Sequence, residues 1–85
     1  MGTAETVGGR IRLARKRAGL KGTELAAHVG VRPHTLWRYE DDRIKPSAEA
    51  LYGIADACGT TMEWLLMGVG DPPAKPKSLD RTGSD

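Results

Sequence analysis

An all-α domain of five short helices is the fold that this 85-residue sequence predicts. Three observations carry it. Apolar residues recur at helical spacing in successive segments. Glycines stand where four of those segments would stop, at Gly19, Gly30, Gly59 and Gly68. Start signals precede the later ones, with Pro33 at a first turn and Ser47 and Thr60 or Thr61 at cap positions. The helices expected are about residues 7–18, 22–29, 33–41, 47–58 and 61–67, after a flexible arm over 1–6 and before a disordered tail or linker over 69–85.

The first helix has Val7, Ile11, Ala14 and Ala18 as its apolar stripe. Gly8 and Gly9 weaken its opening turn by about 1 kcal/mol each relative to alanine. Arg15, Lys16 and Arg17 favour its C-terminal end through the helix dipole. Arg10 and Arg12 read as mostly solvated.

The second and third helices form the most informative stretch, residues 22–41. Leu25, Ala26 and Val29 share one face, and Gly30 ends that helix in a left-handed conformation that only glycine adopts cheaply. Pro33 then fits the first turn of the next helix, where its missing N–H is not needed. There Leu36, Tyr39 and Glu40 point one way, His34, Arg38 and Asp41 roughly opposite, and Trp37 lies on the flank. Two short helices joined by a glycine-containing turn make a helix-turn-helix.

The fourth helix buries Leu51, Ile54, Ala55 and Cys58, the last as a small core hydrophobe rather than a reactive thiol. In the fifth, Met62, Leu65 and Leu66 close the core. Trp64 packs back on the first helix or faces a second subunit. Ile44, between Arg43 and Lys45, is expected to plug the core.

The ordered series Gly19-Leu20, Glu24–Ala26, Gly30-Val31, Thr35–Glu40 and Lys45–Ser47 resembles the phage repressor and Cro family of helix-turn-helix proteins, the Xre family. The likeness spans about residues 7–68. It implies a five-helix, lambda-repressor-like DNA-binding domain whose third helix enters the major groove. Carried over by position, Arg32, Pro33, His34, Trp37 and Arg38 are the base-reading candidates. Arg32 and Arg38 suit guanine O6 and N7, and His34 a guanine or an amino group. Pro33 is able only to pack. Trp37 either lies along a sugar-phosphate wall or is half-buried against the neighbouring loop, and the second is preferred.

Lys21, Gly22 and Thr23 at the start of the second helix, with Arg43 and Lys45 after the third, are the phosphate candidates. Lys21 and Gly22 depart from the family pattern, which has a serine or threonine cap followed by glutamine. Asp41 repels phosphate unless Arg38 or Arg43 pairs with it. The likeness also implies a structural ion pair between Arg15 and Glu40. A dimer contact is expected among Met62, Trp64, Leu65 and Met67.

Composition bounds the rest. A domain near this size buries only about 60% of its unfolded surface, which leaves little room for a deep pocket with catalytic groups. One cysteine excludes a disulfide framework and suits a reducing cytosol. No membrane-length apolar run or signal-peptide core is present. Residues 1–45 carry ten Lys/Arg against five acids, whereas residues 46–85 carry three against six, so a net +5 half precedes a net −3 half. The basic half holds the groove-facing helix, as a polyanion partner requires.

His28 has no second ligand at metal-binding spacing, and no nucleophile–base pair or phosphate-cradling glycine motif occurs. No enzyme, cofactor or metal is expected. The expected partners are double-stranded DNA and a second copy, with a C-terminal domain or partner protein as a further possibility. The reading is a dimeric, sequence-specific transcriptional regulator, a repressor on a palindromic operator. Its alternative is a protein-interaction or antitoxin-type module on the same fold, motivated by Gly22, Pro33, Trp37 and the Asp41-Asp42 pair.

Overall fold

The computed structural model describes residues 5–70. They form α1 (Val7–Arg17), α2 (Gly22–Val29), α3 (Pro33–Glu40), α4 (Ala48–Cys58) and α5 (Met62–Met67). Each boundary lies within one residue of the sequence expectation, because the expected end residues Ala18, Asp41, Ser47 and Thr61 are caps. Of the expected arm and tail, residues 1–4 and 71–85 lie outside the described residues. Thr6, placed in the arm, is instead the N-cap of α1, its Oγ1 accepting the Gly9 N–H at 2.9 Å. Ser47 and Thr61 cap α4 and α5 in the same way, so Thr61 rather than Thr60 starts α5.

The helices enclose one core. α1 packs on α3, α4 and α5; α2 packs on α3 and α4; α4 packs on α5. Ile11, Leu25, Leu36, Ile54 and Leu65 are its largest fully buried side chains. They come one from each helix, so no helix is dispensable to the interior. Short helices of this kind are marginal alone and are held by such packing.

Three expectations about the core are overturned. Leu66, expected to close the core, is 45% exposed, while Trp64 takes the inward one of its two expected positions. One α5 turn offers a single inward arc, and Trp64 and Leu65 fill it, the indole removing more apolar area from water than a leucine would. Ile44 is 40% exposed and plugs nothing. It borders a shallow cleft of about 500 Å³ with Val7, Tyr39, Pro46 and Leu66.

The third correction concerns Gly8, which is buried rather than a weak point. A Cβ there would stand 2.5 Å from the backbone oxygens of both Tyr39 and Glu40. Glycine is what lets α1 touch the end of α3. The Gly8 N–H also donates to Asp42 Oδ1 at 2.8 Å, and Asp42 takes a positive φ of 60° to present that oxygen.

Cys58 is buried, and burial pushes its thiol up from 9.0 to about 11, partly countered by the Arg15 charge. The neutral thiol is therefore the folded form. Its contribution is fully present below the unfolded pKa near 9 and is lost as pH rises through about 11. Urea midpoints measured across that window should fall further for the natural chain than for Cys58→Ala. Gly8→Ala should lose about 1–3 kcal/mol in the same assay, since the obstruction is backbone that cannot step aside.

Candidate nucleic-acid interface

α3 is divided lengthwise. Leu36, Tyr39 and Glu40 are buried, whereas His34, Trp37 and Arg38 are exposed. Arg32, the N-cap residue, is exposed at its start, and Pro33 occupies the first turn half-buried. The five base-reading candidates thus run from the N-terminal end of this helix, at Arg32, Pro33 and His34, to its second turn, at Trp37 and Arg38.

The phosphate candidates flank it. Lys21 is the N-cap of α2, and Glu24 Oε1 accepts its N–H at 2.8 Å. A lysine side chain has no acceptor to return to the first turn, so α2 opens without a side-chain cap. Lys21 and Thr23 are exposed, as are Arg43 and Lys45 beyond α3. Gly30, at φ 84°, ends α2 and turns the chain toward α3.

The Trp37 indole lies over Gly22 of α2, where an added Cβ would stand 3.0 Å from Nε1. The side chain is nonetheless 50% exposed. It leans on the start of α2 and stays half open to water.

What fixes the roll of α3 is the carboxylate of Glu40, whose side chain is 1% exposed. Arg15 Nε donates to Glu40 Oε2 at 2.7 Å and Arg15 Nη2 to Oε1 at 3.1 Å, a two-pronged bond of the kind guanidinium geometry favours. Arg15 Nη1 also donates to the Leu20 carbonyl at 3.2 Å. Arg12 adds a longer contact to Glu40 at 3.4 Å and reaches Asp41 at 3.5 Å. The cation nearest Asp41 thus comes from α1 rather than from Arg38 or Arg43, in a loose and exposed pair.

Arg10 departs furthest from expectation. It is 7% exposed, and its guanidinium donates from Nε to the Leu65 carbonyl at 2.8 Å and from Nη2 to the Leu66 carbonyl at 2.9 Å. It satisfies the carbonyls that end α5 and so joins the first helix to the last. Sequence reasoning missed both Arg10 and Arg12. The three-residue spacing of Arg12 and Arg15, which puts them on one side of α1, was the available signal for Arg12. None was available for Arg10, because its partners are backbone atoms 55 and 56 residues away.

Of the dimer candidates, Trp64 and Leu65 are core residues with no free face, and Met62 is half-buried against the core. Met67 remains, 69% exposed, with Leu66 and Val69 beside it at 45% and 54%.

A five-helix domain with a lengthwise-divided third helix, presented by a glycine turn, is the architecture of a helix-turn-helix protein. Residues 6–64 match the helix-turn-helix domain family, and the chain belongs to that family. Among solved structures it is similar to the P22 c2 repressor in complex with synthetic operator 9T, in the presence of Tl+. That match has 28% identity and a TM-score of 0.72, and it covers 75% of this chain and 97% of that one. It is also similar to the solution structure of the P22 c2 repressor DNA-binding domain, at 27% identity and a TM-score of 0.71, covering 78% and 87%. No curated protein matches it. Among the described residues no helix is long and apolar enough to cross a membrane.

Glu40→Ala should destabilise the domain by about 3–5 kcal/mol in chemical denaturation, since it strands a largely buried arginine. Arg15→Met in the Glu40→Ala background should then cost much less than Arg15→Met alone.

Proposed function

We propose that this chain is a sequence-specific double-stranded DNA-binding transcriptional repressor that docks α3 in the major groove. The observation that carries the reading is the outward face of α3, where His34, Trp37 and Arg38 stand exposed opposite buried Leu36, Tyr39 and Glu40. It is supported by the similarity to the P22 c2 repressor, whose structure includes operator DNA.

Arg32 and Arg38 are the base readers, each able to fork onto a guanine, with His34 between them. Lys21, Thr23, Arg43 and Lys45 hold the backbone and set the register, so they contribute affinity without sequence preference. The protein-interaction alternative loses part of one motive, because Asp41 has an exposed contact with Arg12 at 3.5 Å.

The working form is a dimer on a palindrome, with two α3 helices about 34 Å apart. Its contact surface is the apolar end of α5, Leu66, Met67 and Val69. These apolar side chains are exposed, and Leu66 lines the cleft rimmed by Ile44.

Selection of bound duplexes from a random pool tests the whole reading. A palindromic consensus is expected, and recovery of no enriched sequence would defeat it. On the selected duplex, Arg38→Ala should relax preference at one base pair per half-site by about 1–3 kcal/mol, whereas Lys45→Ala should weaken selected and random duplexes alike. Equal losses on both duplexes for Arg38→Ala would remove it from base reading.

A further inference from the structure

Resting on the DNA-binding reading, we propose that Trp37 contacts the DNA backbone through its indole N–H, and that the absence of a side chain at Gly22 is what allows it to do so. The two residues come from different helices of the helix-turn-helix, yet they compete for one volume. Trp37 Nε1 stands 3.0 Å from the point where a residue-22 Cβ would begin. Any side chain at 22 must push the indole aside by at least a few tenths of an ångström.

The chemistry of that edge selects its target. Indole Nε1–H donates and accepts nothing. In this chain it meets no hydrogen-bond acceptor among the described residues. Trp37 is half exposed, so docking would remove water from around the ring and leave an unsatisfied N–H needing an acceptor. The polar edge is turned toward the start of α2, beside exposed Lys21 and Thr23, rather than along α3 toward His34. A phosphate oxygen is purely an acceptor, and its charge suits the neighbouring Lys21. Base edges present mixed donors and acceptors. Trp37 is thereby assigned to backbone positioning, leaving base reading to Arg32, His34 and Arg38.

Two measurements test this, using a short labelled duplex of random sequence at low salt and the selected duplex. Trp37→Phe keeps the ring and removes the N–H. It should weaken binding to both duplexes by the same factor, about three- to tenfold, at unchanged thermal stability. Gly22→Ala should produce a similar loss in the natural chain and little further loss in the Trp37→Phe background, since both act on one contact. In nitrogen-15 spectra the two indole N–H signals provide an internal control. The Trp37 signal should move on adding either duplex, while that of buried Trp64 should stay.

Trp37→Phe binding like the natural chain, a loss confined to the selected duplex, or full additivity of the two substitutions would each overturn the assignment while leaving the DNA-binding reading intact. If the natural chain binds neither duplex, both fall together.

Discussion

The carboxylate of Glu40 closes α3 from the inside, and the usefulness of that helix depends on it. Eight residues make little more than two turns, too few to be stable alone or to set their own orientation. Leu36 and Tyr39 pin one side of α3 to the core, but apolar contacts tolerate some rotation. A buried carboxylate grasped at two oxygens by Arg15 does not, because turning it away strands charge on both partners. A roll of one residue, about 100°, would put Trp37 in the buried place of Leu36 in one sense, or Glu40 in the exposed place of Asp41 in the other. The ion pair contributes direction more than net stability.

The start of α1 meets the same end of α3 by a second device. Gly8 allows backbone-to-backbone contact, and Asp42 returns a hydrogen bond to its amide. The C-terminal end of α3 is therefore held to α1 at three points, by Arg15, by Arg12 and by the Gly8–Asp42 pair. Its N-terminal end carries Arg32 and His34 and is left open. A rigid base with an exposed tip suits a helix that must present side chains to a groove without rearranging.

How far the sequence discloses this depends on the range of each interaction. Helix limits were legible to within a residue because caps, glycine stops and Pro33 act on their immediate neighbours. The division of α3 was legible because periodicity separates Leu36 and Tyr39 from His34 and Arg38. The Arg15–Glu40 pair was reached through family likeness, not spacing. Gly8 was misread because its cost to helix propensity is local and visible, whereas its benefit lies in a backbone 31 and 32 residues away. Leu66 was misplaced, and Trp64 left open, because a six-residue helix is too short for a hydrophobic period to specify which neighbour faces inward.

Charge counting misleads for a related reason. The net +5 of residues 1–45 suggests a large attraction for a polyanion. Three of its ten bases are spent on the fold, with Arg10 on the carbonyls of α5 and Arg12 and Arg15 on Glu40 and Asp41. The cations proposed for the DNA-facing side are the exposed Lys21, Arg32, Arg38, Arg43 and Lys45, and the start of α2 contributes only Lys21 among them. A neutral donor such as the Trp37 indole is most useful at that sparsely charged corner. It can hold a phosphate oxygen without adding to counterion release, so its contribution persists at salt concentrations where the lysine contacts fade. Gly22 and Trp37, which look separately like losses from an ordinary DNA-binding surface, are in this arrangement two halves of one substitution.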